Sequence, residues 1–452
     1  MIERLVIMGA TGDLTARYLL PALASLRDAG ELSDRFKLVA ASMDDWQDDE
    51  FRRWAAGQLE RHAGELPAAA KDAVVRSSHY SQVNVADPAG VRPLIAGDGP
   101  VAAYLALPPF LFTAAVSALH EAGLPEGSTI VLEKPFGENL QEAIELNRLL
   151  SILLPEEAVF RVDHFLAMTT VRNVLGTRLA NRVLEPIWNS AHIGEIEIVW
   201  DESLALEGRA GYYDGVGALK DMLQNHLLQL LCLVAMEPPL SLNQRDLRDR
   251  KVDVLRSIRP FSERDVVNRT QRGRYTAGKI GDHFLPSYVD EEGVDPAHET
   301  ETFAEMELEL ENWRWPGTIF RLRTGKALGR DRKEVAVHFR SVPHVPFLRD
   351  LEVQPNVLRF GLEPETVALE LTGAGSRARA LSPLTLAAQL ERAKLPAYGR
   401  LLLDVLKRNP ALSIRGDEAE ESWRVVEPVI DAWSKDLVPL LGYAAGSEGP
   451  SM

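Results

Sequence analysis

Along the first third of the chain, short runs of consecutive apolar residues alternate with longer stretches whose apolar positions recur every three or four residues. Leu5–Met8, Leu38–Ala41, Val101–Leu107, Thr129–Leu132 and Ala158–Val162 read as strands buried on both faces. Between them, the segments near Asp13–Ala29, Asp48–Arg61, Pro109–Ala122 and Leu140–Leu153 carry helical periodicity. Such alternation predicts a parallel sheet with helices on both faces, an α/β domain over residues 1–165. The pattern then changes. A helical stretch, Thr170–Arg182, precedes Glu195–Trp200, where Ile196, Ile198 and Trp200 occupy every second position and Gly194 supplies a turn. A helix near Ala218–Met236 is apolar nearly all round towards its end, which predicts burial. Thr302–Glu311, Thr318–Arg323, Glu334–Phe339, Asn356–Phe360 and Thr366–Leu371 then follow one another as strands, which favours an antiparallel sheet. Helices are expected again near Ala387–Leu395 and Arg400–Arg408, and the small, polar tail Ala444–Met452 is expected to fray. Residues 166–452 therefore form an α+β domain with a large, mainly antiparallel sheet.

Composition narrows the class of protein. The 452 residues are 46% hydrophobic and 26% charged, enough to build a buried core and unlike a disordered chain, a coiled coil or a disulfide scaffold. Acidic residues outnumber basic ones by 66 to 50, and a net charge of -16 repels phosphate backbones, so no nucleic-acid partner is expected. Apolar runs are too short to span a bilayer, and the segment Met1–Met8 lacks the pattern of a signal peptide. With one cysteine, Cys232, no internal disulfide can form, and the cytoplasm is the expected compartment. The ten histidines never adopt a metal-ligand spacing such as H-E-x-x-H, so no metal site is expected.

Candidate chemistry begins directly after the first predicted strand. Gly9-Ala10-Thr11-Gly12-Asp13-Leu14 opens the first helix, where glycines permit a tight turn and backbone N–H groups can approach a pyrophosphate. By itself G-x-x-G is a weak signal; its place at the first strand–helix junction strengthens it. After the second strand comes Ala41-Ser42-Met43-Asp44-Asp45, with no Arg or Lys between Lys37 and Arg52. A carboxylate there accepts from a free ribose 2′-OH, whereas a 2′-phosphate wants an arginine. NAD or NADP is the expected cofactor, with a lean to NAD through Asp44 or Asp45.

Three further segments matter together: Glu133-Lys134-Pro135-Phe136-Gly137, Arg161-Val162-Asp163-His164-Phe165-Leu166 and Asp221-Met222-Leu223-Gln224-Asn225-His226. With the glycine loop, and with Glu207-Gly208-Arg209-Ala210-Gly211-Tyr212-Tyr213-Asp214, Thr300-Glu301-Thr302-Phe303 and Arg323-Thr324-Gly325-Lys326-Ala327-Leu328, they resemble glucose-6-phosphate dehydrogenases in order and spacing. The resemblance implies a Rossmann-type first domain, a second domain that dimerises through its large sheet, and oxidation of a hexose or hexose phosphate at C1. It implies His226 as the general base and Asp163 as its orienting partner. Histidine suits that work, since removing the O1 proton needs a base near neutrality and a carboxylate can fix the imidazole's tautomer. By the same resemblance Glu202 and Asp221 meet sugar hydroxyls, Lys134 lies between cofactor and substrate, Lys326 points at the substrate, and Pro108 lines the nicotinamide side.

The chain also departs from that family. Its phosphate-gripping run His-Tyr-Leu-Gly-Lys-Glu is here His164-Phe165-Leu166-Ala167-Met168-Thr169, and a lysine after the glycine loop is replaced by Tyr18. His164 stays, but a hydroxyl and two ammonium groups are gone. Arg172 is the first candidate to replace them, with Arg330 and Arg332 as others. Two substrate readings therefore stand: glucose 6-phosphate held by a rearranged clamp, or a hexose without the phosphate or with another C6 substituent. Further alternatives are oxidation at a carbon other than C1 and a non-catalytic regulatory relative.

Overall fold

The computed structural model describes residues 1–206, 208–343, 353–374, 381–390 and 393–451. The chain divides into two compact units. The first takes Met1–Met168, Pro239–Asp249 and Ala393–Glu420; the second takes Thr169–Pro238, Arg250–Arg392 and Glu421–Met452.

The first unit is built on six parallel strands: β1 (Arg4–Met8), β2 (Lys37–Ser42), β3 (Ser78–Gln82), β4 (Ala102–Leu105), β5 (Thr129–Glu133) and β6 (Val159–Val162). Their order is β3-β2-β1-β4-β5-β6, and every pairing is parallel. This order reverses direction beside β1, the point where the strand ends open a crevice for a dinucleotide. β1, β4 and β5 are apolar runs because helices cover both faces of the sheet. One face buries Leu5 and Ile7 against Leu23 and Leu26 of helix Leu20–Asp28, Phe51 of helix Asp48–His62 and Leu402 and Val405 of helix Ala397–Leu406. The last of these returns from far along the chain to complete the first core. β3, Ser-His-Tyr-Ser-Gln, gave no apolar run because it is an edge strand that buries only Ser78 and Tyr80.

In the second unit, nine strands form one mixed, mainly antiparallel sheet: β7 (Ile193–Asp201), β8 (Thr270–Thr276), β11 (Phe303–Leu308), β12 (Ile319–Gly325), β13 (Arg332–Phe339), β14 (Val357–Leu362), β15 (Glu365–Ala374), β16 (Leu381–Gln389) and β17 (Leu440–Ala444). The short strands β9 (Gly278–Ile280) and β10 (His283–Leu285) form a separate hairpin. β7 shows why its sequence alternates: Ile196 and Ile198 are buried, while Glu195 pairs with Arg321 and Glu197 with Arg332 across the strands. The hydrogen bond to His338, with the charge of Arg332 beside it, holds the Glu197 carboxyl down to about 2.

Two expectations are corrected. The helix expected near Ala387–Leu395 is not formed at its start: Ala387–Gln389 belong to β16, paired antiparallel with β15, while residues 391–392 lie outside the described residues. Alanine and glutamine favour helix, but an available ladder of backbone partners overrides that weak preference, and Pro383 is tolerated because β16 is an edge strand. The tail is not frayed either. β17 pairs parallel with β8, Gly446 N–H donates to Ala327 O at 2.8 Å, and Gly329 N–H donates to Ser447 O at 2.8 Å.

Candidate active site

The C-terminal edge of the parallel sheet collects the first unit's candidate residues. After β1 the chain turns at Gly9 with φ +85°, where an added Cβ would lie 2.1 Å from Ala106 O, so this close approach admits only glycine. Gly9 and Ala10 N–H both donate to Ala41 O, and Gly12 N–H donates to Gly9 O at 3.1 Å, closing the turn. Gly12 and Asp13 are exposed, and Leu14 packs on the core. The helix then begins with a turn wider than α, in which Leu20 N–H reaches Thr15 O.

At the end of β2, Asp44 is fixed by two hydroxyls: Thr11 Oγ1 donates at 2.6 Å and Ser42 Oγ at 2.9 Å to the same carboxylate oxygen. Those bonds, the Thr11 one foremost, hold the Asp44 carboxyl below its ordinary value. Asp44 is exposed, so a fixed negative charge stands beside the glycine turn. Pro108, exposed, follows β4 and precedes the single turn Pro109–Leu111.

β5 ends in Glu133, followed by half-buried Lys134 and a cis Lys134–Pro135 bond. Tyr104 of β4 donates its hydroxyl to Glu133, and Tyr398 of helix Ala397–Leu406 bonds it as well. Burial, reinforced by the charge of Asp163 and opposed by Tyr104 and Lys134, pushes the Glu133 carboxyl up to about 7. Asp163 is buried at the end of β6 and accepts from Phe165 N–H at 2.9 Å, capping the turn His164–Ala167. The His164 ring stacks on Tyr398 at 5.7 Å between centroids, and Tyr398 in turn meets Tyr18 at 5.1 Å. Phe165 is buried and Met168 half-buried.

In the second unit, β7 and β12 run parallel with Asp201 opposite Gly325, so the next residues, Glu202 and Lys326, emerge side by side and form an ion pair. Tyr443 of β17 supports that turn, its hydroxyl donating to Lys326 O at 2.7 Å. Burial pushes the neighbouring Asp201 carboxyl up to about 6, against the pull of Arg323. Asp221 and His226 share the segment Leu219–Leu227, wound more widely than an α-helix before the α-helix Leu228–Ala235 continues it. His226 is buried and Asp221 half-buried. Glu301 anchors the start: its carboxylate accepts from Leu219 N–H at 2.9 Å and its backbone oxygen from Ala218 N–H at 3.0 Å. Arg172 is exposed in helix Thr169–Leu179. Arg330 is exposed with Glu448 at 3.6 Å, and Arg332 is committed to Glu197 and Glu334 within the sheet.

Sequence reading had named neither Glu133, Tyr104 and Tyr398 nor Asn225 and Glu301. Glu133, Asn225 and Glu301 stand inside the segments singled out above, and Tyr104 in the strand Val101–Leu107 that leads to Pro108; Tyr398 carries no such signal.

The sheet order, the glycine turn and its partner carboxylate define the first unit as a nicotinamide-dinucleotide-binding domain of an oxidoreductase. Family models agree along the chain: "Glucose-6-phosphate dehydrogenase, NAD binding domain" matches residues 6–173 and "Glucose-6-phosphate dehydrogenase, C-terminal domain" matches residues 175–452. The glucose-6-phosphate 1-dehydrogenase of Rhizobium meliloti (strain 1021) is 37% identical over 463 residues, 99% of this chain and 94% of that protein. The crystal structure of glucose-6-phosphate 1-dehydrogenase from Mycobacterium avium aligns with a TM-score of 0.89 at 32% identity, covering 100% of this chain and 95% of that one. A glucose-6-phosphate dehydrogenase in complex with its substrate glucose 6-phosphate aligns with the same TM-score at 29% identity, covering 100% and 96%. The chain belongs to the glucose-6-phosphate dehydrogenase family.

Proposed function

We propose that this protein is a glucose-6-phosphate 1-dehydrogenase, oxidising the sugar's C1 to a lactone with a nicotinamide cofactor. The observation that carries the reading is the retention of the acid–base pair in a chain the family matches end to end: His226 buried on its helix and Asp163 buried after β6. In the reaction His226 takes the O1 proton as the C1–O1 bond gains double-bond character, and Asp163 orients the imidazole and supports its positive charge. A nicotinamide bound beside β1 would supply the acceptor for the hydride that leaves C1. Glu202 and Asp221 orient hydroxyls, Lys134 and Lys326 offer positive charge to sugar oxygens, and His164 faces the phosphate. Gly12 and Asp13, exposed where the tight Gly9 turn opens the helix, fit a pyrophosphate approached by backbone N–H groups. Gly12, Asp13, Leu14 and Pro108 complete the cofactor's side. Fixed by Thr11 and Ser42, Asp44 favours a free 2′-hydroxyl, so NAD is the preferred form.

For the phosphate we assign Arg172, exposed on its helix, in place of Arg332, which is spent on the sheet. A second reading, a hexose without the 6-phosphate or with another C6 group, is favoured by the buried Phe165, where the family has a tyrosine, and by Tyr18 packed on Tyr398, where the family has a lysine. We further place residues 1–165 as cofactor domain and 166–452 as substrate and dimerisation domain, in a cytoplasmic homodimer.

Initial rates of nicotinamide reduction with NAD or NADP, against glucose 6-phosphate or glucose, test both readings. Turnover of glucose 6-phosphate with NAD is expected, and Met168→Lys should raise kcat/KM on the phosphate ester about tenfold, one charged contact's worth. Activity on glucose alone would replace the first reading by the second. No turnover with any pair by folded protein would overturn the first reading in favour of a hexose with another C6 group or the non-catalytic relative.

A further inference from the structure

We infer that Asn225 is a positioning residue, whose side chain holds the wide winding that places His226 on the same helix face as Asp221. The inference rests on the reading of His226 as the base. Residues five apart lie roughly 140° apart around an α-helix of 3.6 residues per turn, so Asp221 and His226 would face different directions. With i→i+5 hydrogen bonding, five residues close about one turn and the two side chains rise from one face. The segment Leu219–Leu227 is wound in that way, and Leu228 N–H reaches back to Leu223 O.

Such windings are rare and occur as single turns, so something local has to hold this one. Asn225, 4% exposed, does so with both ends of its amide. Its Nδ2 donates to Lys220 O at 3.0 Å, and its Oδ1 accepts from His226 N–H at 2.7 Å. A carbonyl can only accept and an amide N–H can only donate, so the amide's orientation is fixed by its partners. Both ends of the helix are also tied. Glu301 grips Ala218 and Leu219 at the start, and Leu228–Ala235 is buried throughout. Between two fixed ends, the pitch of the turn is the variable that decides where the imidazole points.

Asn225→Asp keeps the size and the acceptor for His226 N–H but sets a carboxylate oxygen against Lys220 O. Asn225→Ala removes both bonds. Each variant, alone and combined with His226→Ala, is assayed for kcat, KM and the pH dependence of kcat/KM. Asn225→Asp and Asn225→Ala should each lower kcat about a hundredfold, the range of a misplaced base, and lose the acid limb of the pH profile. KM for the sugar should stay within about threefold, because Asp221 sits on the anchored first turn. In the His226→Ala background neither substitution should change the residual rate, since Asn225 acts through the histidine. A wild-type rate for Asn225→Asp overturns the inference, as does a full additional loss in the His226→Ala background. Failure of both variants to fold overturns it too, by showing a general structural role. If His226→Ala alone keeps the full rate, the assignment of the base falls first and the inference with it.

Discussion

Glu133 is held in an environment that resists its charge: burial foremost, with Asp163 close by, outweighs the two tyrosine hydroxyls that bond it and pushes its carboxyl up to about 7. Between the ordinary carboxylate value and about 7, the folded chain keeps a proton that the unfolded chain has released. The folded state therefore binds more protons there, and stability falls as pH rises through that window. Glu301, also pushed up to about 7, and Asp201, to about 6, act in the same direction. Glu133→Gln should leave the melting temperature nearly unchanged at pH 5 and raise it by pH 8; a difference that stays flat with pH would contradict the burial argument. Asp44 has the opposite character, ionised and held by hydroxyls. Asp44→Ala should lower kcat/KM for NAD about tenfold and leave NADP equal or improved, read from initial rates with both cofactors. The two residues also differ in how visible they were. Asp44 directly follows a strand and is held by Thr11 and Ser42, all within segments that the sequence singles out, so its place was legible locally. Glu133 depends on Tyr398, which reaches it from a helix much later in the chain, and no local pattern announces that meeting.

Elements with a strong period were legible, and those shaped by neighbours were not. The buried strands β1, β2, β4, β5 and β6 and helix Leu140–Leu153 were readable because their apolar spacing is set by their own burial. β16 was misread because its alanines favour helix while β15 offers a ladder. The wide turn at Leu219–Leu227 looked like plain helix, since the side-chain bonds that distinguish it leave the apolar pattern intact. At the glycine turn, backbone geometry makes a firm forecast. Gly9→Ala puts a methyl against Ala106 O at a left-handed φ, so the turn must open. KM for the cofactor should rise at least about tenfold with sugar KM little changed, in steady-state assays varying each in turn.

For the whole molecule, the second sheet bears on assembly. One stretch of it is laced by arginines: Arg321 with Glu195, Glu305 and Glu307, and Arg359 with Glu334 and Glu370. Its edge strand β16 exposes Leu384 and Leu386 at 47% and 55%. Leucines left in water on an edge strand invite a partner. The proposed homodimer should sediment at twice the mass of one chain, and Leu384→Glu with Leu386→Glu should return it to monomer. No helix among the described residues is long and apolar enough to cross a membrane. Organisation at this scale was the least legible, because segments 239–249 and 393–420 return to the first unit long after its sheet is complete, and composition does not mark the return.

The bond from Tyr443 to the Lys326 carbonyl has a consequence in time. Lys326 leaves the ribosome 117 residues before the tyrosine that steadies it, a wait of roughly 6–25 s at ordinary rates of synthesis. Until β17 has docked beside β8, the lysine's turn lacks that support. A chain released anywhere in that interval has β8 as the bare edge of its second sheet and the turn at Lys326 without its tyrosine.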